Sequence, residues 1–180
     1  MQEIILIGTI HSGWTPVDEL RQVLAEQQPD KVLVELSPEE LKRSREDSIR
    51  DEMFTAHDWA VENDVPVGVF DVENHILKEG VTGKEPAFTE YEQKSKEILN
   101  GYTWKELNNE KPWQSPEITA LEEQMNKEYI DVEKSKQREQ TMLENIKDDL
   151  IERRNVVVTG TRHLSFFKQN LPDAEMLLRE

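Results

Sequence analysis

Ile4-Ile5-Leu6-Ile7-Gly8-Thr9-Ile10-His11 is the stretch on which the fold of this chain is decided. Four consecutive aliphatic residues, three of them β-branched, mark a short strand buried on both faces. A glycine ends the run and a histidine follows three residues later. The pattern returns far along the chain, where Val156-Val157-Val158-Thr159 runs into Gly160-Thr161-Arg162-His163. Between the two, Lys31-Val32-Leu33-Val34 ends at Glu35, and Pro66-Val67-Gly68-Val69-Phe70 ends at Asp71. Each of these apolar runs finishes on or just past a side chain able to bind a metal or move a proton.

The intervening segments read as helices. Thr15 before Pro16 is a plausible N-cap with proline at the first helical position. Val17, Leu20, Val23 and Leu24 then recur at helical spacing to about Gln28. Pro29-Asp30 stops that helix, and 31–35 is the second strand of a parallel, right-handed strand–helix–strand unit. Ser37-Pro38-Glu39-Glu40 opens a second helical region reaching about Asn63, with a break near 44–48, before a third strand at 66–70. Residues 72–130, punctuated by glycine and proline, read as a helical insertion with too few apolar residues for a core of its own. Ser115-Pro116 restarts a helix that carries Ile118, Leu121 and Met125 and continues, kinked, through Val132, Met142, Ile146 and Leu150. A strand at 155–160, a short helix at 164–170 and an edge strand at 174–179 close the chain. The expectation is one α/β domain over 1–180, with a mostly parallel sheet of four or five strands flanked by helices.

Composition narrows the function classes. Hydrophobic residues make up 36% and charged residues 33% of the chain, so the core is modest and the surface heavily solvated. A formal net charge of −16 argues against nucleic-acid backbones and anionic membranes as partners. The chain has no cysteine, which excludes disulfides and thiolate metal sites. No apolar stretch approaches the ~20 residues of a membrane span, and the N-terminus lacks a basic-then-apolar signal. A soluble cytoplasmic protein is the expectation.

If the strands are parallel, their C-terminal ends share the sheet edge at which open α/β sheets bind ligands. His11, Glu35, Asp71 and His163 then converge without being close in sequence. Two imidazoles and a carboxylate are a common catalytic metal set that leaves a position open for water. Counting ~1.5 Å per helical residue against ~3.3 Å per strand residue places Arg138 and Arg50 level with this edge. Each heads an inward stripe, Arg138 with Met142 and Ile146, Arg50 with Met53, Phe54 and His57. Such guanidinium groups can hold a substrate carboxylate or stabilise an oxyanion. Plainer readings stand beside these: a packing histidine, a salt-bridged Glu35, a turn-forming Asp71, and arginines that snorkel or pair. Ser12 is a candidate substrate contact, His57 a packed histidine and His75 an exposed one. Trp104 and Trp113 are read either as core or as a surface for a second copy of the chain.

Taken in order, these residues resemble the TraB/GumN/Tiki family, related more distantly to ChaN-like and erythromycin-esterase-like proteins. That family carries paired Gly-x-x-His motifs on its first and last core strands, matched by Gly8 to His11 and Gly160 to His163. Val34-Glu35-Leu36 matches its glutamate, and Arg50 with Met53 and Arg138 with Met142 resemble its two arginine–methionine helices. The family's small residue before the second histidine is Arg162 here, a substitution placed to narrow the entrance or bind an acidic peptide terminus. The membrane anchors of many relatives are not expected here. The resemblance implies a divalent-metal hydrolase, a metalloprotease in the Tiki branch, with manganese or cobalt favoured; zinc suits the same donors.

The leading expectation is therefore a metal-dependent peptidase acting on a peptide or small-molecule substrate. His11, Glu35 and His163 would hold the ion (Mn, Co or Zn), with Asp71 either a further ligand or orienting one. Glu35, Arg138 and Arg50 would be catalytic, and Arg138, Arg50, Arg162 and Ser12 substrate-binding. The alternatives are a protein that sequesters a peptide without turnover, and a metal-free hydrolase using His11 or His163 with Glu35 as acid and base.

Overall fold

The computed structural model describes residues 2–11, 13–43, 50–72, 76–79, 81, 93–107, 110–113 and 115–177. Its centre is one sheet built from β1 (Glu3–Thr9), β2 (Lys31–Val34), β3 (Val67–Val69), β4 (Arg154–Gly160) and β5 (Glu175–Met176). The strand order is β3-β2-β4-β1-β5 and every pairing is parallel. The parallel α/β architecture expected from the four apolar runs is the one found.

A parallel sheet buries both faces, so neighbouring residues of one strand serve opposite cores. Ile5 and Ile7 join Val32, Val34, Val156 and Val158 on one face. They are covered there by α1 (Val17–Gln27), through Leu20 and Leu24, and by α2 (Asp51–Glu62), through Met53, Ala56 and Ala60. Ile4, Leu6 and Val157 point the other way. They meet α7 (Val132–Asp149), through Met142, Leu143 and Ile146, and α8 (Leu164–Asn170), through Leu164 and Phe167.

This arrangement has a consequence at the carboxyl edge. β1 and β4 are neighbours with Thr9 opposite Gly160. The helix after β1 lies on one face and the helix after β4 on the other, so the two loops part and leave a crevice. Such a reversal is where doubly wound sheets place ligands, and here it falls between His11 and His163.

Several boundaries differ from the expectation for local physical reasons. Thr15 does not cap α1: its hydroxyl takes the Ile10 amide at 2.7 Å and donates to the Ile10 carbonyl at 3.0 Å, closing the β1–α1 loop. Pro16 holds the N-cap position instead. Ser37 and Glu40 form a reciprocal capping box, at 2.8 and 3.1 Å, but it opens only a 3₁₀ turn (Glu40–Lys42). The expected break at 44–48 lies outside the described residues. Ser115 does cap the next long helix, α6 (Pro116–Glu128), whose helical continuation is interrupted rather than kinked. Asp131 starts α7 afresh, its carboxylate accepting the Lys134 amide at 3.2 Å. The 76–78 segment pins that junction, with Asp131 N donating to Ile76 O at 2.7 Å and Lys78 N to Tyr129 O at 2.9 Å.

The insertion between β3 and α6 contributes a helical stretch at 93–98 (α3), α4 (Trp104–Leu107) and α5 (Glu110–Trp113). Its Leu99 and Leu107 cluster with Ile118, and Ile10 and Trp14 pack against them. The reading of Trp104 and Trp113 as an exposed surface for a second copy is corrected here. Trp104 is 4% exposed and its Nε1 donates to Gly8 O at 2.9 Å, tying the insertion to the end of β1. Trp113 is half-buried and donates to Leu107 O at 2.6 Å. Among the described residues no helix is long and apolar enough to cross a membrane.

Trp104→Phe keeps the ring volume and deletes the donor. It is expected to cost about 1–3 kcal/mol through the buried Gly8 carbonyl, read as a lower urea midpoint at unchanged m-value.

Candidate active site

Glu35 follows the last residue of β2, and its amide donates to Val158 O at 3.0 Å, which fixes it against the end of β4. The side chain is 2% exposed. A carboxylate so placed must be compensated or it will not stay ionised. Its Oε2 accepts from the Thr159 hydroxyl at 2.5 Å and the Gly160 amide at 2.7 Å. Its Oε1 accepts from Arg50 Nη2 at 2.8 Å and Arg138 Nη2 at 3.3 Å, and lies 3.7 Å from His163 Nε2. Burial works to raise the Glu35 pKa, but the charges of His163, Arg50 and Arg138 and the Thr159 hydrogen bond hold it well below the usual carboxylate range.

Asp71, 4% exposed, completes the cluster. Arg138 binds it in a fork, Nε to Oδ1 at 2.8 Å and Nη2 to Oδ2 at 2.5 Å, and Arg50 Nη1 reaches Oδ2 at 3.2 Å. Arg50 Nη1 also contacts Glu40 at 2.9 and 3.2 Å. Burial lowers both arginine pKa values, yet Glu35, Glu40 and Asp71 around Arg50, and Asp71 and Glu35 around Arg138, push them above their ordinary value. The helix-height argument for the two arginines thus holds in space, whereas the role given to them changes. Their guanidinium groups are engaged with Glu35 and Asp71, and that of Arg50 with Glu40 as well. As they stand they hold the site's carboxylates, not a substrate's. Asp71 likewise has both oxygens engaged, the second interaction of Oδ1 being the Val72 amide at 2.7 Å, so it acts on the arginines.

The two histidines are held by carboxylates absent from the sequence-based site. His11 Nδ1 is 2.5 Å from Glu52 Oε1, and Glu52 is itself only 2% exposed in the first turn of α2. His163 Nδ1 is 2.6 Å from Glu139 Oε1 on α7. With Nδ1 occupied, each ring leaves Nε2 as its remaining donor atom. A signal for both partners was present: Glu52 heads the buried series Glu52, Ala56, Trp59, and Glu139 heads Glu139, Leu143, Ile146. Each is an acid at the top of an apolar helical stripe.

The glycine of the second motif supplies less than its spacing implies. Gly160 has φ −60° and ψ 139°, open to any residue. A Cβ there would meet Glu35 Oε2 at 3.6 Å and His163 Cδ2 at 3.7 Å, ordinary contacts. The turn is made after it, by the 3₁₀ segment Thr161–His163. What position 160 contributes is its amide.

His11, Glu35 and His163 line one cleft of about 880 Å³. Arg50, Arg138 and Arg162 line it too, Arg162 paired with Glu122 at 3.1 Å across it. His57 packs as expected, 3.3 Å from Asp58. Ser12 and His75 lie outside the described residues. Among the described residues no three histidine, aspartate or glutamate side chains are gathered into a group able to hold an ion as they stand. Comparison with protein-family models, curated proteins and solved structures gives no match to this chain.

Glu35→Gln tests the central pairing. The loss of a charge facing two buried guanidinium groups is expected to cost about 3–5 kcal/mol at pH 7. Because the folded-state pKa is depressed, the wild-type advantage is complete above the unfolded value of about 4.3 and drains as pH falls below it. Thermal melts from pH 7 to pH 3 should therefore show the two proteins converging in acid.

Proposed function

We propose that this protein is a hydrolase of carbonyl substrates, a metal-dependent peptidase in the form the residues favour most. The observation that carries the reading is the pair of imidazoles at one cleft, each with Nδ1 tied to a carboxylate and Nε2 left over, beside an ionised Glu35. Carboxylate–histidine pairs are the usual outer support of a metal-binding imidazole, fixing its tautomer and raising its basicity. The donor chemistry fits a divalent ion (Mn, Co or Zn) at His11 and His163 through Nε2; Glu35 Oε1 would join them only by giving up a guanidinium hydrogen bond. Such an ion, when bound, supplies an acidified water and polarises the scissile carbonyl.

The chain's own residues do the rest. Glu52 and Glu139 orient the imidazoles by engaging Nδ1, which leaves Nε2 as the atom each ring offers to a substrate or ion. Arg50, Arg138, Thr159 and Gly160 keep Glu35 anionic and immobile, and Asp71 keeps the arginines in place. Arg162 stands at the cleft wall, where its charge suits a peptide carboxylate.

A second reading is favoured by one specific fact, that Glu35 Oε1 already accepts from both guanidinium groups. In it no ion is needed. One imidazole takes a proton from the attacking water at Nε2 and passes it to the leaving amine or alcohol, with its glutamate stabilising the imidazolium.

Cleavage of an internally quenched peptide library decides between them. The expected result is activity that disappears on chelation, returns with Mn²⁺, Co²⁺ or Zn²⁺, and is abolished by His11→Ala or His163→Ala. Glu52→Gln and Glu139→Gln should each lower metal affinity or activity by about 10–100-fold. Activity that survives chelation but not the histidine changes selects the metal-free reaction. Undiminished cleavage by the His11→Ala/His163→Ala protein overturns both.

A further inference from the structure

Beside the histidines the cleft gives onto a smaller cavity of about 180 Å³. The two share His11, Glu35, Trp113, Thr161, Arg162 and His163, so the small one opens at the proposed reaction centre. It is well under the volume of about 300–1,000 Å³ that holds a whole drug-sized ligand, so it takes a small part of a substrate. Two cationic side chains line it from separate elements, Lys96 from α3 and Arg162 from the 3₁₀ turn that carries His163. Each has a neighbour that positions it. Lys96 Nζ stands 6.0 Å from the centre of the Trp14 ring, a cation–π distance. Arg162 Nη2 is 3.1 Å from Glu122.

These two side chains set the sign of the cavity. Glu35 is the carboxylate of the described lining, and its oxygens are already bound by Thr159, Gly160, Arg50 and Arg138. Much of the remaining wall is apolar, from Ile10, Trp14, Leu99 and Trp113. Such surroundings strengthen a charge pair over its value in open water. The chain as a whole carries a net charge of −16, and its general field repels anions. Two cations converging on one cavity beside the histidines reverse that field locally. The bridge to Glu122 does not bar a second anion. It joins side chains 45% and 30% exposed, so solvent weakens it, and a guanidinium carries five N–H donors.

We propose that Lys96 and Arg162 are a carboxylate-binding pair, holding a carboxylate of the substrate on the residue next to the bond that is cut. The proposal deepens the hydrolase reading and rests on it for the word substrate. The pair itself is tested by binding alone. A peptide offers this group either at its C-terminus or on an aspartate or glutamate side chain. In both cases the ammonium acts as a point charge and the guanidinium as a directional donor. A substrate whose neighbouring residue is neutral forgoes both interactions.

The experiment is a ligand-observed NMR titration of the intact protein with N-acetyl-leucine, N-acetyl-leucinamide and N-acetyl-glutamic acid α-amide. The first carries a terminal carboxylate, the second none, and the third a side-chain carboxylate. At least one acid is expected to bind about 10-fold or more tightly than leucinamide, the scale of hydrogen bonds to charged groups. That advantage should shrink as salt is raised. The tighter acid assigns the carboxylate to a chain end or to an acidic side chain, and equal binding of the two admits either. Lys96→Gln and Arg162→Gln should each reduce the advantage by about 3-fold or more. Together they should abolish it, whereas Lys96→Arg, which keeps the charge, should retain it. Should the double variant fail to fold, the single ones carry the same test. Leucinamide bound as tightly as both acids overturns the pair, as does an acid advantage unchanged in the folded variants. Acid-selective binding without cleavage of any peptide overturns the hydrolase reading and leaves the pair standing. Cleavage indifferent to a carboxylate on the neighbouring residue does the reverse.

Discussion

A single buried carboxylate, Glu35, ties this structure together. Its two oxygens accept from Thr159, Gly160, Arg50 and Arg138. Those donors come from the end of β4, the start of α2 on one face of the sheet, and α7 on the other. The interaction therefore fastens both helical layers to the sheet at its carboxyl edge, where backbone pairing ends. Hydrophobic contacts hold the layers in register lower down, through Ile5 and Ile7 on one side and Leu6 and Val157 on the other. Near the edge the ionic cluster takes over that task. Replacing a buried ion cluster with well-packed apolar side chains is often neutral or stabilising. Its presence beneath a cleft is thus better accounted for by the charge distribution it imposes than by stability.

The geometry of the crevice follows from topology. Because β4 inserts between β1 and β2, the loops after β1 and β4 leave neighbouring strands toward opposite faces. Each loop carries its histidine with it. Each histidine then finds a glutamate on the first helix it meets on its own side, Glu52 on α2 and Glu139 on α7. Two similar histidine–carboxylate pairs thus arise at one cleft, with no internal repeat in the chain beyond the doubled Gly-x-x-His.

The parts legible in the sequence were those with strong local periodicity. Short β-branched runs located the strands, and the terminal residues of those runs located Glu35, Asp71 and both histidines. Rise per residue was enough to place Arg50 and Arg138 at the right height, since height depends only on backbone geometry. What height cannot give is the partner. Whether a guanidinium meets a substrate or a neighbouring carboxylate depends on side-chain direction around the helix, and here Arg138 turned to Asp71. Glu52 and Glu139 escape a sequence reading for a related reason. Glu52 reads as an ordinary first-turn acid of α2, and Glu139, in the middle of α7, as one more charge on a solvated Glu/Lys-rich helix. Trp104 illustrates the limit inside the insertion: Lys105 and Glu106 follow it, and its burial comes from a distant part of the chain, the core cluster it joins and the Gly8 carbonyl its Nε1 meets.

Charge accounting relates the two histidine pairs to the choice between reactions. Glu35 and Asp71 carry two negative charges, which Arg50 and Arg138 offset, so the buried floor is close to neutral before Glu40 is counted. A divalent ion above that floor would gain little from Glu35, whose charge is already committed. The negative charge available to it stands behind the imidazoles, on Glu52 and Glu139. If the floor alone had to balance an ion, two guanidinium groups beside it would be a liability. With the balance placed on the outer carboxylates, the arginines instead keep Glu35 from being drawn out of position. In the metal-free reaction the same glutamates stabilise whichever imidazole becomes positive. On either form of the proposed reaction the working charge would lie in the two histidine–glutamate pairs, with the arginine–carboxylate cluster as the support on which they are set.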